Sequence, residues 1–247
     1  MPAKICYLGD GRLNGAAGYL AAIMQEYSLP FDHVPSNESP PATFRRRRYA
    51  LYVVSDYPAA QFGTAAMTHV AGRVAAGAGL LMLGGWESYF GRLGEYHESP
   101  LADVLPVVMQ LADDRRNYAQ PCLIRRVAEH PILKDLPWDA PPAIGGRNLV
   151  RAKDGARTLL NAVEFLVREE AGKFHFLRGV EAPLLVVGRH GRGRTAALAT
   201  DVAPHWVGGL VDWGNRRVAQ AVAGELVEVG NWYAMFFCNL LTWTGRL

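Results

Sequence analysis

Residues 79–94 read Gly-Leu-Leu-Met-Leu-Gly-Gly-Trp-Glu-Ser-Tyr-Phe-Gly-Arg-Leu-Gly, and the predicted fold is organised around them. The four apolar residues Leu80–Leu83 lie between glycines, a pattern typical of a buried strand in a parallel sheet. The Gly84-Gly85 pair then turns the chain sharply, because glycine tolerates positive φ and close backbone approach. Open α/β sheets bind ligands outside the carboxyl ends of their strands. The residues predicted to stand there are Trp86, Glu87 and Ser88.

The chain before this stretch alternates strand and helix signals. Strands are predicted at Lys4–Leu8, Phe31–Val34 and Tyr49–Ser55, and helices at Ala16–Tyr27 and Thr64–Ala76. This order is typical of a doubly wound α/β fold. Further elements are predicted downstream: a short helix running into a strand over Leu101–Val108, strands at Cys122–Val127, Gly146–Ala152 and Arg157–Val167, a hairpin of Pro183–Gly188 with Thr195–Thr200, and a final apolar helix at Asn231–Trp243. We expect a single domain over residues 1–247, with antiparallel strands added to the parallel sheet.

The composition is that of an ordinary globular protein. Half of the 247 residues are hydrophobic, a fifth are charged, and the formal net charge is +3, too small to indicate a nucleic-acid partner. The three cysteines, Cys6, Cys122 and Cys238, are far apart, which argues against a disulfide framework or a structural zinc site. No signal peptide is recognised, and no apolar run approaches the roughly 20 residues needed to cross a bilayer. We therefore expect a cytoplasmic protein without a membrane partner.

Three patterns in the sequence could suggest a cofactor, phosphate or metal site, but none of them is interpreted as such a site. The glycines at positions 9, 11 and 15 are spaced one residue too widely for G-x-G-x-x-G, so no cofactor is expected. The run Arg45–Arg48 is interpreted as a solvated or subunit-contacting charge run rather than as a phosphate site. His97 and Glu98 could join His205 around a metal ion, but no spacing such as H-E-x-x-H supports this, so no metal is predicted.

The glycine turn has some features of a nucleophile elbow, which lifts a reactive side chain above the end of a strand. The predicted catalytic residues are Ser88 as nucleophile, Glu87 as an acidic or ligand-contacting group, and His205 as base. Asp201 precedes His205 by four residues and could hold its imidazole in one tautomer. The alternatives are structural. Ser88 could cap the following loop, and His205 could be a hydrogen-bonded loop residue beside a core Trp206.

Acidic residues also follow the neighbouring predicted strands. Asp10 comes directly after the first strand and Asp56 after the third. Because the carboxyl ends of parallel strands meet at one edge of a sheet, these side chains should form a cleft with the turn and with His205. We expect this cleft to bind a small polar ligand. The predicted ligand-binding residues are Asp10, Asp56, Gly85, Trp86 and Asp201.

Three segments together resemble the type 1 glutamine amidotransferase-like family, and more narrowly a poorly characterised branch of cytoplasmic proteins within it. They are Leu-Gly-Gly-Trp-Glu-Ser-Tyr-Phe-Gly-Arg-Leu-Gly-Glu-Tyr (83–96), Ser-Pro-Leu-Ala-Asp-Val-Leu-Pro-Val (99–107) and Thr-Asp-Val-Ala-Pro-His-Trp (200–206). The resemblance implies a flavodoxin-like three-layer α/β sandwich with a mostly parallel central sheet. Members with glutaminase activity carry a cysteine on the elbow, with a histidine and a glutamate completing a triad.

The resemblance places this elbow at residues 85–87, where the chain has no cysteine, and the family's His-Pro-Glu pattern is also absent. The covalent step therefore lacks its thiolate, and a glutaminase is not expected. Three hypotheses remain. The protein binds a small polar ligand in the cleft; it is a hydrolase or transferase using His205 with Ser88 or Glu87; or it is a structural subunit of a homo-oligomer, packed through the helix 231–243.

Overall fold

The computed structural model describes residues 4–247, which form strands and helices in the alternation that the sequence predicts. The strands are β1 (Ile5–Gly9), β2 (Phe31–Val34), β3 (Leu51–Ser55), β4 (Gly79–Leu83), β5 (Val107–Val108), β6 (Arg115–Arg126), β7 (Ala143–Asn148), β8 (Arg151–Ala152), β9 (Arg157–Glu170), β10 (Lys173–His190), β11 (Gly193–Leu198), β12 (Arg217–Val222) and β13 (Glu225–Gly230). The α-helices are α1 (Ala17–Glu26), α2 (Ala59–Phe62), α3 (Thr64–Ala75), α4 (Pro204–Val207) and α5 (Asn231–Gly245).

One large sheet has the strand order β2-β1-β3-β4-β11-β10-β9-β6-β7. The first five of these strands pair in parallel, in the order found in flavodoxin-like folds. The remaining four pair antiparallel and extend the sheet on one side. This confirms the predicted α/β sandwich with a parallel centre and added antiparallel strands.

Helices cover both faces of the parallel part of the sheet. The connection through α1 leads from β1 to β2 on one side, whereas the connection through α3 leads from β3 to β4 on the other. Because such crossovers are right-handed, opposite directions place the two helices on opposite faces. Every residue of β1, β3 and β4 is buried, as expected for strands covered on both sides.

The structure differs from the predicted elements mainly in the second half. The predicted strand at 146–152 is wrong as a continuous element, because the chain leaves the sheet after Asn148 and resumes as the two-residue β8. The segment 101–108 forms turns before β5 rather than a helix. The hairpin of β12 and β13 was not predicted, because its turn at Ala223-Gly224, with φ of 49° and 89°, lacks the usual asparagine or aspartate signal.

Among the described residues, no helix is both long enough and apolar enough to cross a membrane.

Candidate functional site

Three aspartates that the sequence separates widely meet at the carboxyl edge of the parallel sheet. Asp10 follows β1, Asp56 follows β3, and Asp201 lies three residues beyond β11. One carboxylate oxygen from each lies within 4.8 Å of the others. β1 and β3 also flank the position where the strand order reverses, which is where open α/β sheets bind ligands. The geometry therefore brings together three of the residues predicted to bind a ligand.

The backbone conformation around the aspartates lets the Gly85 turn lie close to the Asp56 carboxylate. Asp10 and Asp56 both have left-handed backbone conformations, with φ of 55° and 40°, so the chain turns directly at the strand ends. Gly85 has φ +155°, and a Cβ there would lie 2.0 Å from Oδ1 of Asp56. The absence of a side chain at Gly85 thus allows the amide of Glu87 to donate to that same oxygen at 2.7 Å.

The three carboxyl groups cannot all ionise easily in this environment. Burial, and then the neighbouring charge of Asp201, raise the pKa of Asp56 to about 8. Burial raises the pKa of Asp201 to about 6. The hydrogen bonds that its carboxylate accepts from the amides of Ala203 and Val202 lower the pKa, but by less than burial raises it. Burial and the other two carboxylates also raise the pKa of Asp10, although the Tyr7 hydroxyl donates to it. Close carboxyl groups of this kind retain protons or attract a cation.

His205 lies at the rim of the cluster, with its side chain about half exposed. Its Nδ1 is 3.3 Å from Oδ2 of Asp201, so the carboxylate orients the imidazole as the sequence spacing suggests. The ring stands edge-on to Trp86, with centroids 6.4 Å apart, and the Arg115 guanidinium covers Trp86 at 4.5 Å. Trp206 itself is buried, and its indole N–H donates to Asn117 at 2.7 Å.

Two residues that sequence reasoning missed hold the glycine turn in place. The buried Asn148 side chain accepts from the Gly85 amide at 2.9 Å and donates to the Gly85 carbonyl at 3.1 Å and to Asp114 at 2.8 Å. The buried Asp114 carboxylate accepts from the amides of Phe90 and Gly91. Burial raises the pKa of Asp114. The only signal in the sequence is the glycine pair before Asn148, which indicates close packing of that segment.

The structure does not support Ser88 as a nucleophile. Its side chain is fully buried, and its Oγ accepts a hydrogen bond from the Asp56 amide at 3.0 Å. His205 is paired with Asp201 instead. An attacking hydroxyl must reach the substrate and its base, so the predicted catalytic role of Ser88 is corrected to a structural one. Ser88 positions Asp56.

Replacing Ser88 with alanine is expected to lower the free energy of unfolding by about 1–2 kcal/mol, because it removes the hydrogen-bond acceptor of the Asp56 amide. Urea unfolding followed by tryptophan fluorescence measures this effect. Binding of any ligand in the acidic pocket should be retained in the folded variant. Complete loss of binding without loss of stability would contradict the structural role.

None of the three thiols lies at the cluster. Cys6 is buried in β1, Cys122 is buried in β6, and Cys238 is half-buried in α5. Burial raises the pKa of all three thiols, that of Cys122 to about 11, so each is mostly protonated near neutral pH. The turn at residues 85–87 thus has no nearby thiolate to replace the missing elbow cysteine.

A small open pocket of about 170 Å³ lies over the cluster. Its polar wall is dominated by carboxyl groups, since Glu87 joins the three aspartates and burial raises its pKa as well. The remaining lining residues are Gly11, Ala16, Ser36, Ala203 and His205. Trp86 and Gly85 flank this wall without lining it. Of the residues predicted for the site, Asp10, Asp56, Glu87, Asp201 and His205 line this pocket.

The aspartates are also the group best placed to hold a metal ion. Carboxylate oxygens are the ligands that Mg²⁺ and Ca²⁺ prefer. Among residues 4–247, His97 and Glu98 belong to no comparable group of ligand atoms, and the His97 ring packs against Phe90. The sequence prediction considered a metal only around His97, Glu98 and His205, so the aspartate cluster is a different arrangement.

The helix α5 does not present the apolar surface that the structural-subunit hypothesis requires. Its large aromatic and aliphatic side chains contact the core, and none of them is among the exposed large apolar residues of the described chain. The exposed large apolar residues lie elsewhere in the described chain, and five of the eleven are on the hairpin of β9 and β10. Packing of subunits through α5 is therefore not supported.

Comparisons with known proteins agree with this fold. The family model GATase1_like, described as "Putative glutamine amidotransferase", matches residues 50–221. The cytoplasmic protein STM1381 of Salmonella typhimurium LT2 is 25% identical, with a TM-score of 0.76, and the match covers 98% of this chain and 99% of that chain. No curated protein matches the sequence.

Two further solved structures support the fold alone. The cytoplasmic protein STM3548 of Salmonella typhimurium is 23% identical, with a TM-score of 0.73 and 98% of each chain covered. The N-terminal domain of mmIFT52 is 11% identical, with a TM-score of 0.60, covering 98% of this chain and 97% of that chain.

Proposed function

We propose that the pocket of this chain, which belongs to the GATase1_like family of glutamine amidotransferase-like proteins, binds a small cationic ligand. The pocket is not a glutaminase site in this proposal. The observation that carries the proposal is the convergence of three aspartate carboxylates within 4.8 Å. A protonated amine or a divalent metal ion shares the chemistry that such a group recognises. Both carry a positive charge that would neutralise part of the negative charge of the ionised cluster.

The size and lining of the pocket favour a small ligand that donates hydrogen bonds. A volume of about 170 Å³ suits a compact amine or a hydrated ion. The lining offers hydrogen-bond acceptors far more than donors, which favours ligands that donate. The cytoplasmic description of the Salmonella relative at 25% identity supports a cytoplasmic location.

The absence of a usable thiolate is the argument against glutamine hydrolysis. The hydrolase or transferase hypothesis would use His205, which Asp201 orients, as a base beside Glu87. Ser88 is buried behind the turn, and the Ser36 hydroxyl that lines the pocket accepts a hydrogen bond from the Gly11 amide. Ligand binding therefore needs fewer assumptions than bond cleavage.

Isothermal titration calorimetry tests the proposal with four probes: Mg²⁺, putrescine, glucosamine and, as a neutral control, glycerol. At least one cationic probe should bind more tightly at pH 8 than at pH 6, because ionisation of Asp56 strengthens the attraction. The heat should also depend on the ionisation enthalpy of the buffer, since the pocket releases protons when the cation enters. Comparing the affinity for Mg²⁺ with the affinities for the two amines shows whether the pocket prefers a metal ion or an amine.

Asp56→Asn should weaken binding about tenfold or more, because it removes one full ionic partner. Asp154→Asn is the matched control, since the same change is made at an exposed turn residue remote from the cluster. A second assay measures ammonia release from L-glutamine, which should not exceed the level without protein. Glutamine hydrolysis, or failure of every cationic probe at both pH values, would overturn the proposal.

A further inference from the structure

Three arginines lie on one face of the sheet, on three neighbouring strands. Arg189 of β10 is directly opposite Arg194 of β11, and Val187, two residues before Arg189, is opposite Arg157 of β9. Opposite residues of antiparallel strands share a face, as do residues two apart in one strand, so all three arginines are on the same side. The Arg194 guanidinium stacks on Trp243 of α5 at 4.7 Å, so this is the face that α5 covers.

No carboxylate neutralises these three side chains. Among residues 4–247 none of the three forms an ion pair, although eight other arginines do. Arg157 donates to the carbonyl of Glu129 at 2.9 Å, and Arg194 to that of Trp243 at 2.7 Å. Like charges on directly opposite residues of a sheet are destabilising, and Arg189 and Arg194 are such a pair. An anion between the arginines would remove this repulsion.

The positive charges also affect the groups around them. Burial, and then the charges of Arg246 and Arg189, lower the pKa of Arg194. Burial, and then the charges of Arg157 and Arg194, lower the pKa of His130. Neighbouring cations disfavour a further positive charge, so both shifts indicate an excess of positive charge at this place.

A cavity of about 400 Å³ lies beside the arginines. Its wall carries three cationic side chains, Lys153, Arg157 and Arg189, against two acidic ones, Asp103 and Asp154. Both acidic side chains are exposed, and Asp103 raises the pKa of Lys153 by less than burial lowers it. The excess of cationic groups in the wall, with Arg194 next to it, favours a negatively charged ligand.

The backbone of β10 adds a hydrogen-bond donor at the cavity. Pairing with β9 ends at Val187, so residues 188–190 have no strand partner on that side among the described strands. His190 and Gly193 flank a two-residue turn, and residues that flank such a turn form a hydrogen-bonded pair. Because hydrogen-bonded and non-hydrogen-bonded pairs alternate, the amide of Arg189 faces away from β11, towards the open side.

We propose that this cavity is a second ligand site, which binds a small oxyanion carrying a phosphate or two carboxylates through the side chains of Arg157 and Arg189 and the Arg189 amide. Guanidinium groups bind phosphate and carboxylate oxygens with paired, charge-assisted hydrogen bonds. The cavity lies where the six residues of β11 begin, whereas the acidic pocket lies beyond their end, about 20 Å further along the strand. The proposal is therefore independent of what the acidic pocket binds.

Isothermal titration calorimetry at constant ionic strength tests the site with inorganic phosphate, succinate and, as a reference, chloride. Phosphate or succinate should bind with a Kd of about 1 mM or tighter, whereas chloride should give no saturable heat. The stronger of the two shows whether the site prefers a phosphate or a dicarboxylate. Arg189→Gln should weaken binding at least about tenfold, because it removes an ionic partner. Arg168→Gln is the matched control, since Arg168 is an exposed arginine near the other end of β9.

Thermal unfolding separates loss of binding from a folding defect. Without an added anion, Arg189→Gln should melt no lower than the wild type, because the substitution relieves the repulsion with Arg194. Phosphate or succinate, whichever binds, should raise the melting temperature of the wild type and of Arg168→Gln far more than that of Arg189→Gln. Asp56→Asn should keep the anion affinity of the wild type, since its pocket lies at the other edge of the sheet.

Three results would overturn the second site. The first is that neither phosphate nor succinate binds more tightly than chloride. The second is that Arg189→Gln and Arg168→Gln lose affinity equally, which would assign the binding to general surface charge. The third is that a long polyanion such as heparin binds and neither small oxyanion does, which would make this face a polyanion surface.

Discussion

Replacing Asn148 with leucine is expected to lower the free energy of unfolding by about 4 kcal/mol, the largest effect among the single substitutions considered. The side chain makes three buried hydrogen bonds, two with the backbone of Gly85 and one with the carboxylate of Asp114. Leucine has a similar size but leaves both Gly85 groups and one carboxylate oxygen without this partner. Unsatisfied buried polar groups cost about 1–3 kcal/mol each, and more when charged.

Urea denaturation at neutral pH measures this loss, with Asn14→Leu as the matched control at an exposed position. The control should change stability by less than about 0.5 kcal/mol. The turn also carries Glu87 to the pocket, so Asn148→Leu should weaken binding of the cationic probe in whatever fraction of the variant remains folded. A loss below about 1 kcal/mol would show that water replaces the asparagine and that the turn does not depend on it.

The position of the candidate site was predictable because it follows from strand order. Once Asp10, Asp56 and the glycine turn are placed after parallel strands, the fold brings their side chains to one edge without any knowledge of contacts. Asp201 and His205 follow the last parallel strand and reach the same edge. Their proximity is therefore a consequence of strand order. The sequence indicates the strands themselves locally, through short apolar runs bounded by glycines.

The orientation of side chains at the turn was not predictable in the same way. Ser88 follows the glycine pair by three residues, and the sequence does not show that the chain turns it inward to the Asp56 amide. Asn148 and Asp114 act on the turn across long sequence separations, so no local pattern indicates them. The part of β10 that precedes residue 183 was missed because its side chains are exposed on both faces, which blurs the alternation that indicates a strand.

The ligand-free protein is expected to lose stability as the pH rises from 6.5 to 8. In the folded state the pKa of Asp56 is about 8, whereas an unfolded aspartate titrates near 3.9, so the folded state binds the extra proton throughout this interval. A raised carboxyl pKa contributes stability at low pH that is lost as the pH rises through the folded value. The slope is up to about 1.4 kcal/mol per pH unit for each additional bound proton.

The interval is chosen to separate Asp56 from the histidines. Burial lowers the pKa of His33, His69 and His130, and these groups stabilise the fold as the pH rises towards 6.5, in the opposite direction. Their folded-state imidazoles are neutral above pH 6.5, and in the unfolded state, where histidine titrates near 6.5, their contribution fades by about pH 7.5. Asp201, with a pKa of about 6, has completed most of its titration there, so the remaining slope belongs mainly to Asp56 and to Asp10, whose pKa burial and the neighbouring carboxylates also raise.

Thermal unfolding of the wild type and of Asp56→Asn between pH 6.5 and 8 tests this assignment. The variant should show a flatter profile and a higher melting temperature than the wild type at pH 8, because a neutral amide replaces a carboxyl group that ionises at a cost. Asp154→Asn should keep the wild-type slope. A saturating cation should restore stability at pH 8 in the wild type, since it stabilises the ionised cluster that the ligand-free fold disfavours. An unchanged slope in Asp56→Asn would assign the titration to another group and remove the electrostatic basis for cation binding.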